Sequence, residues 1–377
     1  MIDRRRDSAE AGKSLLFACS QGADFDALLA EFDPAETDIV LPLASAPPSP
    51  AFEYIRVAQD DLPSWAGELV AGKHEDLVQT LSARKYDRVI IPWRYPETWR
   101  DNALEAAAAR ICDYVEVRHA GGGQRGFYGE NLHRLLYNKA YLASMFASVP
   151  QPAGLDVLEV GCSDGMVCDI FALLGAKRIV GIDVMESVGC SYRNPAIEYH
   201  SMQADALSFP DKSFDLVYSI ATLEHVPHPS RVLEEIVRVL KPGGYAYVQA
   251  APLYHSPFGH HMFAYFGDQP WIHLRRTKAQ ILDYARAHGI EARVRRDFGI
   301  SLETYLDEML NFDHVNGLLL DQYGLDAFQA RADVEIIKFN RSYEGANLLS
   351  SAIVEEIPHI ERERLIEHGF ELAFRRR

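Results

Sequence analysis

The stretch LDVLEVGCSDGMVCDIFALLGA, residues 155–176, constrains this chain more than any other. A short apolar run leads straight into a glycine loop, and an apolar helix pattern follows. That order is the strand–loop–helix start of a doubly wound α/β sheet, which binds its ligand at the carboxyl end of the strand. The dinucleotide fingerprint G-x-G-x-x-G is absent. In its place stand Glu159, Gly161 and Gly165, an E-x-G-x-x-x-G. A pyrophosphate wants a glycine-lined helix N-terminus with no neighbouring anion, and Glu159 and Asp164 would repel it.

The same two acids suit a ligand that carries positive charge, and the following strands add detail. RIVGIDV ends on Asp183, 18 residues past Gly165. An acid near that spacing chelates ribose hydroxyls. MQADALSFP places Asp205 in a loop where a carboxylate can accept from an adenine amino group. FDLVYSIATLEHV reads as a fourth strand ending in Thr222, Glu224 and His225. PSRVLEEIVRVL is an amphipathic helix stopped by Lys-Pro-Gly-Gly, and YAYVQAAP is a fifth strand. An adenosine ligand with an ammonium and a sulfonium is S-adenosylmethionine rather than NAD.

With these residues quoted, Gly161 to Gly244 closely resembles the class I S-adenosylmethionine-dependent methyltransferases, in particular the branch carrying FPDKSFDLVYS, LEHV and LKPGG. The resemblance covers most of residues 128–252. It implies a Rossmann-like methyltransferase sheet with S-adenosylmethionine as cofactor. Glu159, Gly161, Cys162, Ser163 and Gly165 would then line the methionine end, and Asp183 with Val184 the ribose. Asp205 and Ala206 would meet the adenine, Ser219 and Ile220 would lie beneath the cofactor, and His225 near the transferred methyl. Relatives that methylate base amines carry Asn/Asp-Pro-Pro-Tyr/Phe after strand four. SIATLEHVPHP stands there instead, and no cysteine follows strand four or five, which disfavours a covalent pyrimidine adduct.

After strand five the simplest relatives close with one helix and a strand hairpin. Here an insert at about 253–345 intervenes, and RERLIEHGFELAFRRR reads as the last helix and strand. The insert projects over the cofactor, where acceptor specificity resides in this fold. It opens with SPFGHHMFAYFGDQPWIHL. His260 and His261 are candidate bases alongside His225, since imidazole accepts protons near neutral pH. Adjacent histidines could share a metal with Asp268 and His273 only from an irregular loop, and no metal is expected. Trp271 is either a platform for a sugar or aromatic ring or a core residue.

The first 120 residues alternate strand and helix patterns (SLLFACS, TDIVLPL, YDRVIIPW, DYVEVRH), giving an N-terminal α/β accessory domain with a parallel sheet. AGGGQRG at 120–126 is the linker candidate, and the methyltransferase unit is expected over 121–377. A net charge of -16 with four short arginine clusters argues against nucleic acid. No apolar run spans a bilayer, and the charged start MIDRRRDSAEAGKS lacks a signal core, so a cytoplasmic protein is expected. Five scattered cysteines without a CxxC give no disulfide framework. The reading is methyl transfer to a small-molecule acceptor, a hydroxyl of a sugar or secondary metabolite foremost, with C- or N-methylation as alternatives and homo-oligomerisation allowed. The reading from another class makes the N-terminal domain a module that recruits a partner or nucleotide-sugar.

Overall fold

The computed structural model describes residues 13–18, 29–42, 49–57, 66, 75–93, 103–119, 124–128, 132–189 and 196–377. Among the described residues the strands form two sheets. The first contains β1 (Ser14–Phe17), β2 (Thr37–Pro42), β3 (Glu53–Val57), β4 (Arg88–Trp93), β5 (Tyr114–His119) and β6 (Gln124–Tyr128). Their order is β3-β2-β1-β4-β5-β6, parallel except for β6, which runs antiparallel to β5. The second contains β7 (Asp156–Val160), β8 (Arg178–Asp183), β9 (Ile197–Ser201), β10 (Phe214–Ile220), β11 (Leu240–Ala250), β12 (Val334–Tyr343) and β13 (Glu367–Arg376). Its order is β12-β13-β11-β10-β7-β8-β9, and only β13 and its partners pair antiparallel. The expected α/β class and doubly wound methyltransferase-type sheet are therefore observed.

The second sheet follows from its sequence. β7, β8 and β10 are near-continuous apolar runs, as strands covered on both faces must be, and Val157, Leu158, Val180, Ile182, Leu216 and Val217 are fully buried. The helix Pro229–Val239 starts on a proline at its first turn. It buries Val232, Leu233, Ile236 and Val237, a stripe at helical spacing. At the amino edge the lysine of LKPGG joins two strands. Lys241 Nζ donates to Asp156 at 2.6 Å and to Asp215 at 2.8 Å, tying β7 to β10.

Two boundaries move. Residues 120–123 lie outside the described residues, but β5 and β6 flank them in antiparallel register, with Arg118 opposite Gln124. β6 therefore extends the first sheet past the boundary expected at 120, because its backbone pairs with β5. The insert is shorter than 253–345: β12 starts at Val334 and pairs with β13, so only the chain from β11 to Val334 stands off the sheet. The expected last helix is a 3-10 turn, Arg364–Ile366.

The two units share a core. Leu104, Ala107, Ala108 and Ile111 pack in one cluster with Leu142, Met145, Val157 and Phe171. Within that contact, on the helix Leu132–Met145, Lys139 Nζ donates to Glu105 Oε2 at 2.7 Å, both side chains almost wholly buried. Among the described residues no helix is long and apolar enough to cross a membrane.

Candidate active site at the carboxyl edge of the second sheet

β7 is followed by Gly161, whose φ is +82°, a region open to glycine at little cost. A Cβ there would lie 2.0 Å from Thr222 Oγ1. Thr222 in turn donates to Val160 O and Ile220 O. The loop after β7 is thus pressed against the end of β10, and only a residue without a side chain fits between them. Ser163 and Ala221 also sit at positive φ, 48° and 49°. Both strand ends carry backbone strain of the kind found at binding sites.

Asp183, the last residue of β8, fastens this loop. Its Oδ2 accepts from Ser163 N at 2.9 Å and its Oδ1 from Met185 N at 3.2 Å. Each carboxylate oxygen retains a lone pair for a ligand hydroxyl. Val184 beside it is a large exposed apolar side chain. Glu159, expected at the methionine end, is a buried side chain. It is buried under the loop–helix junction, where the Cys168 thiol donates to it at 3.0 Å. Burial pushes its carboxyl up to about 8.

Asp205 and Ala206 occupy the loop after β9. This loop is held from the helix below. Leu207 N donates to Glu235 at 2.7 Å, while the Arg238 guanidinium donates to Leu207 O, Phe209 O and Asp211. Ser219 is fully buried, and its Oγ has no hydrogen-bond partner. The donor set fits S-adenosylmethionine: a glycine cradle with Cys162 and Ser163, an acid at the end of β8, an unpartnered hydroxyl on β10 before Ile220, and a buried carboxyl.

The histidines separate into two groups. His225 lies in the 3-10 turn Leu223–His225 directly after β10. The insert brings His261 and His314 to it. Ring centroids are 5.0 Å apart for His225 and His261 and 5.3 Å for His225 and His314. His225 Nδ1 faces His314 O, and His261 Nε2 lies 2.9 Å from Pro252 O. Burial holds all three rings below the ordinary imidazole value, His261 down to about 4. Asn316 sets this geometry. Its amide donates to Leu223 O at 2.8 Å and Val226 O at 2.9 Å, and its backbone N donates to Glu224 O. The insert is thereby sewn to the turn that carries His225.

His260 belongs to the other group. Its ring is buried, Nδ1 accepts from Met262 N at 2.9 Å, and it packs 5.3 Å from His273. His273 faces Tyr254 O at 2.6 Å. His260, expected as a candidate base, lies outside the His225 cluster: adjacent residues point apart, and His261, at φ +56°, turns to the cluster. Nor do Asp268 and His273 gather around His261. Trp271 is not a ring platform. It is fully buried, and its Nε1 donates to Leu365 O at 2.9 Å and His255 O at 3.2 Å. His314 and Asn316 were missed because residues 310–319 carry no periodic pattern. A cavity of about 380 Å³ opens on His261 and is walled by Phe263, Tyr265, Phe298, Tyr305 and Met309.

The profile of a family described as Methyltransferase domain matches residues 158–248. A curated relative, a ubiquinone biosynthesis O-methyltransferase of Albidiferax ferrireducens, is 34% identical over 154 residues, 39% of this chain and 59% of its own. The namesake of Chelativorans sp. is 30% identical over 137 residues, 34% of this chain and 54% of its own. The chain thus spans a little over half the length of these relatives. A solved S-adenosylmethionine-dependent methyltransferase from Mesorhizobium loti aligns over 63% of this chain and 98% of its own at 19% identity, TM-score 0.35. Residues 158–248, which hold the glycine loop, Asp183, Asp205 and His225, are thus the part of this chain that is similar to a methyltransferase domain.

Proposed function

We propose that this protein transfers the methyl group of S-adenosylmethionine to a hydroxyl on a small molecule. The observation that carries this reading is the position of His225. It directly follows β10, the strand that supplies Ser219 and Ile220 to the cofactor floor, and two further imidazoles from the insert meet it there. When bound, the cofactor supplies an electrophilic methyl on a sulfonium. The residues of this chain do the rest. The glycine loop and Asp183 fix the nucleoside, while the insert excludes water and orients the acceptor. The histidine cluster is where a hydroxyl proton can leave.

The cavity walls refine the acceptor. Within the class of sugars and secondary metabolites, a pocket lined by Phe263, Phe298, Tyr305 and Met309 favours an aromatic or alkyl body over a bare sugar. The O-methyl chemistry named for the relatives accords with a hydroxyl acceptor. Titration calorimetry with S-adenosylmethionine and S-adenosylhomocysteine tests the reading, followed by methyl transfer to a panel of phenols and sugars. We expect one cofactor site, weakened about 10- to 100-fold by Asp183→Ala, the scale of lost hydrogen bonds to a charged group. Absence of binding for both ligands sinks the proposal.

A further inference from the structure

We propose that His225, His261 and His314 form a binding site for one divalent transition-metal ion of the zinc class. The three side chains come from separate elements: the turn after β10, the first turn of the insert, and the loop after the helix Leu302–Met309. One ligand-capable atom from each lies within 4.8 Å of the other two. A tetrahedral zinc with bonds of 2.0–2.1 Å needs nitrogens about 3.3 Å apart. On binding, the nitrogens would have to close by up to about 1.5 Å.

The hydrogen bonds assign the nitrogens. A backbone carbonyl only accepts, so the nitrogen facing it carries the proton. His225 Nδ1 faces His314 O and His261 Nε2 faces Pro252 O. The lone pairs are therefore on His225 Nε2 and His261 Nδ1. His314 Nε2 is buried and has no hydrogen-bond partner. A ring pinned through one nitrogen to a carbonyl, with the other free, is how proteins fix metal-ligating histidines. His261 holds its place at a φ of +56°, which a bulky residue adopts only when the surroundings impose it.

Ligand chemistry selects the ion. Among the described residues the cluster contains three imidazoles and no carboxylate. That donor set suits zinc, cobalt, nickel or copper and disfavours magnesium and calcium, which take oxygen ligands. Three protein ligands leave a fourth position open, as in catalytic sites. His261 also lines the cavity of about 380 Å³, so the cluster borders the space assigned to the acceptor. The catalytic role rests on the methyl-transfer reading: an ion held by these three imidazoles would supply Lewis acidity that makes an acceptor hydroxyl easier to deprotonate. The binding site itself does not depend on that reading.

The test uses tag-free full-length protein stripped with chelator, titrated with Co²⁺ and then Zn²⁺, beside calorimetry with S-adenosylmethionine. We expect one equivalent of Co²⁺ to give the visible absorption of a tetrahedral site, displaced by Zn²⁺. His261→Gln and His314→Gln should each lower Zn²⁺ affinity at least 10-fold while cofactor binding persists, showing that the variants fold. Asn316→Ala, which releases the segment holding His314, should lower it about 10-fold, the size of an outer-shell loss. Cofactor binding without Co²⁺ absorption would overturn the metal site and leave the histidines as bare bases. Metal binding that both histidine variants retain would also overturn it. Metal binding without cofactor binding would sink the methyl-transfer reading and leave the site standing.

Discussion

The two sheets share a strand order and part company at their edges. Each places its third, second, first, fourth and fifth strands side by side in parallel, and each adds antiparallel strand beyond the fifth. Their amino edges do similar work. In the first, Asp38 accepts from Tyr86 and Arg84. Burial pushes its carboxyl up, but those bonds outweigh it and hold it below the ordinary range. In the second, Lys241 bridges Asp156 and Asp215. The carboxyl edges differ already in sequence. β7 leads into E-x-G-x-x-x-G, whereas β1 leads into ACSQGADFDAL, with one glycine and no preceding acid. A doubly wound topology is thus a scaffold, and the chemistry belongs to the loops at the strand ends.

The sharpest way to break this contrast is Gly161→Val. The new Cβ would meet Thr222 Oγ1 at 2.0 Å on a backbone of φ +82°. We expect cofactor binding to fall below detection in calorimetry, with far-ultraviolet circular dichroism close to that of the parent. Retained affinity would mean that the loop after β7 is not the cradle.

The next largest effect concerns the join. Lys139→Met removes one partner of the buried Glu105 carboxylate, and loss of one partner of a buried pair costs about 3–5 kcal/mol. The double variant Lys139→Met with Glu105→Leu should recover most of that. Because one hydrophobic cluster spans both units, denaturant melts should stay a single transition in the parent. Two transitions in the parent would show that the sheets fold independently.

A third effect distinguishes the carboxyl edge of the second sheet by pH. Burial raises the folded-state value of Glu159 to about 8, above its ordinary 4.5. Between those values the folded state binds more protons than the unfolded one. The stability contribution is therefore full below pH 4.5 and lost as pH rises through 8, with a slope of up to about 1.4 kcal/mol per unit. Glu159→Gln should flatten that slope between pH 6 and 8 in urea melts. Cofactor binding at pH 7 should release protons, read as a dependence of calorimetric enthalpy on buffer. Equal slopes in parent and variant would show that Glu159 is already ionised.

Much of the second sheet was legible because its strands are buried on both faces and its loops carry diagnostic residues. Asp183 and Gly161 could be placed at the carboxyl ends of adjacent strands from spacing alone. Lys241 shows the opposite case: the sequence marks it as a helix stop, and only the fold reveals that it joins two strands. The insert was the least legible part. His261 and His260 are adjacent and chemically identical, and their different fates depend on one backbone angle. His314 meets His225 through the bonds of Asn316, a contact across about 90 residues that no local pattern encodes. β6 escaped notice because three glycines read as a linker, while its pairing with β5 is a tertiary fact.

The smallest effect compares matched exposed pairs on the two units. Arg178 makes a bidentate pair with Glu198 at 2.8 and 2.9 Å, between β8 and β9, and lies 5.5 Å over the Phe214 ring. Arg110 reaches Glu75 through one nitrogen, at 2.7 and 2.8 Å, between two helices of the first unit. Solvent screens both pairs, so each is worth about 0.2–1 kcal/mol. Glu198→Ala should cost more than Glu75→Ala, because two parallel hydrogen bonds fix the guanidinium plane and Phe214 supports it. Raising salt to 1 M, where charges are screened beyond about 3 Å, should shrink both losses. A loss above about 2 kcal/mol at Glu75 would mean that the helix pair of the first unit relies on its surface charge, and the two units would then differ in what holds them as well as in the loops at their strand ends.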